Sequence, residues 1–518
     1  MPTNTWARAV SATTNREHFS KAHKMGKLQS LLKETAIYGL SSIVGRFLNY
    51  LLVPLYTAKM SVESGNYGIV TNIYAWTAVL LVVLTFGFET TFFRFASKEN
   101  ANVSKVFSMS MQVIGALCGL FLAAVFCFLP SIADALGYEM HPEFIGMMAV
   151  VVALDALQAI PFGLLRFQKR PIKFAALKLF NIFTNIVLNL FVFVALPYLH
   201  SRNPEAYDSI YFPQNQAFYV FFINLVCTAS VTFFFIPELR LYRPTLDWRL
   251  LKNMLGYSWP LLLLGIAGIL NLNADKVIYT WLVPGERGIQ ELSVYGASVK
   301  VAAIMAMLMQ AFRYAYEPFV FSNSKQKDSK ELYAKAMKYF IIMAMLAFLV
   351  VVFYMDILKH IINSNYWEGL KVVPIVMAAE IFMGIYFNLS FWYKLNDETY
   401  WGAIFSFIGC ALLFAVNIIF VPRYGYMACA WASFTGYLAA MLLSFVIGQR
   451  RNAIDYDLKS IFSFTLLFAA LYGASLLIPV ENSIIRMVCN TGLLAIFLLF
   501  TFRAIKNEIR ASRKKTDK

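Results

Sequence analysis

Charge is what this chain has least of. Only 14% of its 518 residues are Asp, Glu, Lys or Arg, against about 25% in ordinary soluble domains. Mean hydropathy is +0.61, so the surplus apolar surface needs lipid as its solvent. Histidine is scarce too. His18, His23, His141, His200 and His360 all fall outside the centres of apolar runs, which argues against a buried histidine metal centre or proton relay. The six cysteines (Cys118, Cys127, Cys227, Cys410, Cys429 and Cys489) sit within apolar stretches, so no disulfide framework is expected. Residues 1–34 are polar and basic with no apolar core, unlike a cleavable signal peptide. There is no glycine-rich phosphate loop, no Ser/His/Asp set and no metal-ligand spacing, so no catalytic residue, cofactor or metal site is expected. The longest expected outer loop, about 197–214, is too short to form a domain.

What the chain does have is apolar runs near the roughly 20 residues that cross a bilayer as a helix. The pattern predicts an all-α integral membrane fold of about fourteen spans: 35–58, 67–93, 106–129, 144–165, 174–197, 215–236, 256–282, 294–320, 335–357, 372–393, 399–421, 425–448, 460–479 and 483–504. The division between the eleventh and twelfth rests on the turn Pro422-Arg423-Tyr424-Gly425-Tyr426.

The distribution of basic residues sets the expected orientation. Loops numbered alternately from the N-terminal tail hold 34 Lys and Arg on one side and six on the other: Lys59, Arg202, Arg287, Lys359, Lys371 and Arg423. Both termini are therefore expected in the cytoplasm, with the basic loops against anionic headgroups. This placement accounts for the formal net charge of +16 without a nucleic-acid partner.

An offset of 228 residues brings Tyr67-Gly68 onto Tyr295-Gly296, Glu89 onto Glu317 and Asn189 onto Asn417, with Asp155 landing near Glu380. Half-chain repeats are a transporter signature. The expected organisation is a basic tail (1–34), a six-helix lobe (35–236), a linker (237–255), a second six-helix lobe (256–448), two extra spans (460–504) and a basic tail (505–518).

Charged groups inside a span are costly and face the bundle interior. Arg46 is central in the first span, with Asn49 one turn away and no acidic residue at i±3 or i±4. An anionic ligand or a carboxylate from another helix, such as Asp155, would answer it. Asp155 is central in the fourth span and Glu380 in the tenth. Lys300, Arg313 and Glu317 lie on the eighth, where Arg313 and Glu317 at i,i+4 can neutralise one another. Adjacent Asp275 and Lys276 read as a structural pair, and Glu89 with Arg94 as inexpensive interfacial charges. Asn181, Asn185 and Asn189 form one stripe, which serves either as helix–helix hydrogen bonding or as a polar cavity wall. The aromatic residues read as lipid-facing and interfacial, with no sugar-stacking site.

Several segments resemble a known family: "LKETAIYGLSSIVGRFLNYLLVPLYT" (32–57), "GNYGIVTNIYAW" (65–76), "GFETTFFRFAS" (87–97), "NADKVIYTWLVPGERGIQELSVYGASVKVA" (273–302), "AFRYAYEPFVF" (311–321) and "VNIIFVPRYGYMACAWAS" (416–433). Over about residues 30–505 the chain resembles the oligosaccharide flippases, the polysaccharide transporters of the multidrug, oligosaccharidyl-lipid and polysaccharide exporter superfamily. The resemblance implies a V-shaped pair of lobes working by alternating access. It implies passage of an undecaprenyl-pyrophosphate-linked oligosaccharide across a bacterial plasma membrane, feeding O-antigen, capsule or exopolysaccharide assembly. Partners would include a glycan polymerase and other assembly proteins. It further implies headgroup binding by Arg46, Lys300 and Arg313, proton or sodium coupling at Asp155 or Glu380, and cavity polarity from Asn49, Asn185, Asn189 and Asn417. The chain lacks the dense first-lobe arginine cluster of lipid II flippases. Two alternatives stand beside this reading: a multidrug or small-molecule cation antiporter of the same superfamily, and a membrane-embedded enzyme of glycan assembly.

Overall fold

The computed structural model describes residues 50–98, 101–323, 329–396, 398–478 and 482–516. Among them there is no strand, and thirteen helical segments are long and apolar enough to cross a membrane. The first expected span lies mostly outside the described residues, and so do Arg46 and Asn49; its last two turns form α1 (Leu52–Lys59). The second is split into α2 (Asn66–Thr85) and α3 (Phe88–Ala96). Then follow α4 (Val103–Cys127), α5 (Pro142–Phe167), α6 (Pro171–Leu190) and α7 (Gln216–Phe233). The later half comprises α8 (Trp248–Leu282), α9 (Glu286–Asn323), α10 (Ser329–Phe353), α11 (Val373–Leu389), α12 (Tyr400–Tyr424), α13 (Tyr426–Arg451), α14 (Leu458–Leu476) and α15 (Ser483–Thr516).

The breaks in these helices have local causes. Phe86 (φ 48°) and Gly87 (φ 70°) are both left-handed and interrupt the second span. A side chain at Gly87 would meet the Leu261 Cβ at 2.9 Å, so the glycine also admits α8. The fifth span passes through a π turn at Phe191–Ala195, whose Phe193 is buried. The turn between α12 and α13 is a single residue, Gly425, at φ 57° and ψ −147°. Only glycine visits that region readily, and Pro422 stays within α12.

Burial sorts the helices. The most apolar window of α5 is 72% buried, whereas those of α14 and α15 are 11% and 17% buried. The last two helices are therefore peripheral, presenting Phe462, Leu466, Val488, Leu499 and Phe502 outward. They are tied to α10 by the buried Lys338, which bonds Glu508 at 2.7 Å and Asp457 at 3.4 Å. The segment between α7 and α8 is pinned to α4. Ser104 donates to the Leu241 carbonyl at 2.6 Å, the Arg243 N–H donates to Ser108 at 2.7 Å, and Lys105 pairs with Asp247 at 2.7 Å. The Lys105 bond, then the α8 N–H groups that Asp247 caps, hold the Asp247 carboxyl below its ordinary range.

α2 crosses α9 closely. The Gly68 N–H donates to Ser293 Oγ at 2.7 Å, Ser293 reaches the Gly65 carbonyl at 3.4 Å, and Gly296 packs against Thr71. Asn72 donates to the Lys276 carbonyl at 2.7 Å and accepts from the Tyr138 hydroxyl at 2.9 Å. The Tyr366 hydroxyl donates to the Met60 carbonyl at 2.8 Å.

Candidate functional site

The small residues that let α2 approach α9 leave room below the crossing. Two adjoining chambers occupy the interior. The larger, about 710 Å³, is lined from α2, α3, α5, α6 and α7 and includes Glu89, Asp155, Gln158, Arg166, Lys178 and Thr228. The smaller, about 370 Å³, lies between α1, α2, α6 and α7 on one side and α8 and α9 on the other. Asn181 and Asn224 line both. Their sizes fall within the range of ordinary ligand cavities.

The two chambers differ in charge. In the larger, Glu89 is paired with Arg166, a partner 77 residues away rather than the neighbouring Arg94, which stacks over Tyr257 at 4.0 Å. Asp155 and Lys178 lie within electrostatic range of each other, and Lys178 Nζ sits 4.1 Å from the Phe162 ring centre. Gln158 donates to the Thr228 carbonyl at 2.9 Å and to Thr232 at 2.8 Å. Two acidic and two basic groups thus balance.

The smaller chamber does not balance. Lys276 is bound to Asp275 at 3.0 Å, and the Tyr295 hydroxyl donates to the other Asp275 oxygen at 2.5 Å; the expected structural pair is present with a third member. Lys300 has no ion pair or hydrogen bond among the described residues. Its side chain is exposed into the chamber although it lies deep in the bundle, and the charged group it feels is another cation, Lys276. A cation in that position is stabilised by an anion and by little else.

The remaining predicted residues disperse. Arg313 stacks over Phe387 at 4.2 Å. Glu380, on α11, is half-buried and in electrostatic range of Lys276 and Arg313. Asn185 lines the smaller chamber, and its oxygen accepts from Asn189 at 3.2 Å. Asn189 is fully buried and accepts from the Tyr56 hydroxyl at 2.8 Å. Asn417 is fully buried and donates to the Leu413 carbonyl of its own helix at 2.9 Å, so it lies in helix packing and not on either chamber. Sequence reasoning passed over Lys178 and Asn224 as wall residues; an amide in the middle of the sixth span was the signal for Asn224. It also left the tyrosines out. Tyr56, Tyr67 and Tyr74 all line the smaller chamber.

The many-helix fold thus encloses two adjoining chambers lined by charged and amide side chains. The chain belongs to the polysaccharide biosynthesis protein family, whose profile matches residues 31–312. Its fold is shared with solved membrane transporters. It superposes on the lipid II flippase MurJ in an inward closed conformation with a TM-score of 0.68 at 14% identity, over 90% of this chain and 99% of that one. An inward-facing MATE family multidrug resistance transporter gives a TM-score of 0.60 at 13% identity, over 78% and 94% of the two chains. The MATE multidrug transporter DinF-BH gives 0.56 at 13% identity, over 82% and 96%. A sequence comparison with curated proteins gives no match.

Proposed function

We propose that this protein flips an undecaprenyl-pyrophosphate-linked oligosaccharide from the inner to the outer leaflet of a bacterial plasma membrane, for surface polysaccharide assembly. The observation that carries the reading is Lys300, a cation with no ion pair among the described residues, facing a chamber between the two halves of a member of the polysaccharide biosynthesis family. A diphosphate cannot cross an apolar layer alone, because an isolated buried ion costs tens of kcal/mol by Born estimates. A fixed cation inside a polar chamber lowers that barrier. Arg46 and Arg313 are further candidates for the headgroup.

The chain would work as two six-helix lobes related by a two-fold axis along the membrane normal. The Ser293–Gly65 contact joins residues 228 apart, the repeat offset itself, as expected of a contact on such an axis. Both termini would face the cytoplasm. Coupling to a proton or sodium gradient would fall to Asp155 or Glu380. The same two carboxylates support the second reading, export of small organic cations, because an anionic wall is what such cargo needs.

The test uses purified protein in proteoliposomes loaded with lipid-linked oligosaccharide, with translocation read by enzymatic access to the glycan on the far leaflet. Glycan-dependent translocation, accelerated by an imposed proton or sodium gradient, is the expected result. Gradient-driven uptake of organic cations with no movement of the lipid-linked glycan would replace this reading with the antiporter.

A further inference from the structure

The smaller chamber holds more hydrogen-bonding capacity than an anionic headgroup requires. Four amides reach it from three helices: Asn181 and Asn185 on α6, Asn224 on α7 and Asn273 on α8. The geometry shows how much of that capacity is already used. Asn224 is committed, donating to its own helix at the Val220 carbonyl (2.8 Å) and to the Tyr74 hydroxyl. Asn185 spends its oxygen on Asn189. Asn273 makes one long bond, 3.3 Å, to the Ile269 carbonyl. Asn181 makes none among the described residues, although it lines both chambers. An amide carries two donor hydrogens and two acceptor lone pairs, and leaving them unmatched in a protein interior is costly.

We infer that Asn181, with Asn273 across the chamber, forms a neutral subsite that holds the hydroxyl groups of the first sugar of the glycan. This inference rests on the function proposed above and deepens it. Amides supply donors and acceptors together, which suits a sugar ring whose hydroxyls do both; a phosphate, which only accepts, is better served by Lys300. The half-buried Tyr74 adds a ring edge of mixed polarity to the same wall. Lys300 lines the same 370 Å³ chamber, so one chamber can hold a pyrophosphate and the sugar joined to it. The amide subsite would therefore discriminate glycosylated from bare lipid, while the lysine binds both.

The experiment measures binding to purified full-length protein in nanodiscs with two probes: lipid-linked oligosaccharide extracted from the host's membranes, and bare undecaprenyl pyrophosphate. Wild-type protein should prefer the glycosylated lipid by about tenfold, the yield of one or two hydrogen bonds. Asn181→Leu, which keeps the branched shape of the side chain and removes the hydrogen bonds, and the double variant with Asn273→Leu should lose that preference and bind both probes at the bare-lipid level. Lys300→Ala should weaken both probes together. Wild-type protein that binds both probes equally, or Asn181→Leu that keeps the preference, overturns the sugar subsite and leaves the flippase reading standing. Wild-type protein that binds neither probe overturns the flippase reading and the subsite with it. Retention of bare-lipid binding by Asn181→Leu shows that the variant is folded.

Discussion

Lys300→Ala separates a functional cation from a structural one. A structural lysine in a membrane interior is held by a partner, and removing it strands a buried charge at a cost of about 3–5 kcal/mol. Lys300 has no such partner among the described residues, and its charged neighbour is Lys276. Truncation therefore removes a like-charge repulsion and strands nothing. The variant should melt in detergent at or slightly above the wild-type temperature. Transport should behave differently. A charge-assisted hydrogen bond is worth about 1.5–3 kcal/mol, so loss of the ammonium should weaken lipid-linked substrate by about 10–100-fold. The assay is glycan display at the cell surface, normalised to membrane protein level, alongside thermal unfolding of purified protein. Full display by well-expressed Lys300→Ala would refute the headgroup role. A clear drop in melting temperature would refute the claim that the lysine is unpaired.

Two further substitutions test the scaffold. Gly68→Ala places a methyl against the Ile289 carbonyl and 2.8 Å from Ser293 Oγ; overpacking against backbone costs about 1–3 kcal/mol. The expected outcome is a wedge between α2 and α9, seen as faster thiol labelling of Thr71→Cys in the Gly68→Ala background than alone. Gly425→Ala forces a side chain into a backbone region that costs about 1–3 kcal/mol and 2.6 Å from the Glu291 carboxylate. A lower melting temperature is expected, and an unchanged one would contradict the strained single-residue turn.

The spans were legible because lipid imposes a length and a composition that the sequence must show. Boundaries moved by a few residues, mostly outward, since helices such as α8 and α9 continue past the apolar core. The interruption at Phe86-Gly87 was not legible: glycine alone does not announce a helix break, and a left-handed phenylalanine is set by packing against α8. The site was legible in residue type and illegible in pairing. Glu89 has a near neighbour in sequence, Arg94, but its partner is Arg166, and only the fold brings the two together. Asn417 shows the converse. It matches Asn189 under the repeat offset, and both are fully buried, but Asn189 abuts a chamber wall through Tyr56 and Asn185 while Asn417, among the described residues, bonds only its own helix. An offset aligns helices without saying which face each residue presents.

The choice of lysine at position 300 carries a consequence for turnover. A transporter must bind its cargo strongly enough to load and weakly enough to release, as a conducting pore must. Arginine would hold a diphosphate through a rigid two-donor fork, while lysine offers a compact charge on a flexible stem. With Lys276 occupied by Asp275, the described residues of the smaller chamber present one free ammonium and no guanidinium fork, which favours exchange over retention. Lys300→Arg should therefore tighten binding of undecaprenyl pyrophosphate by severalfold and slow steady-state translocation in proteoliposomes. The two effects should appear together, because both follow from the same bond. Tighter binding with translocation at the wild-type rate would show that release from this chamber does not limit the cycle. Binding no tighter than wild type would show that the fork finds no second phosphate oxygen there, and that Lys300 acts through charge alone.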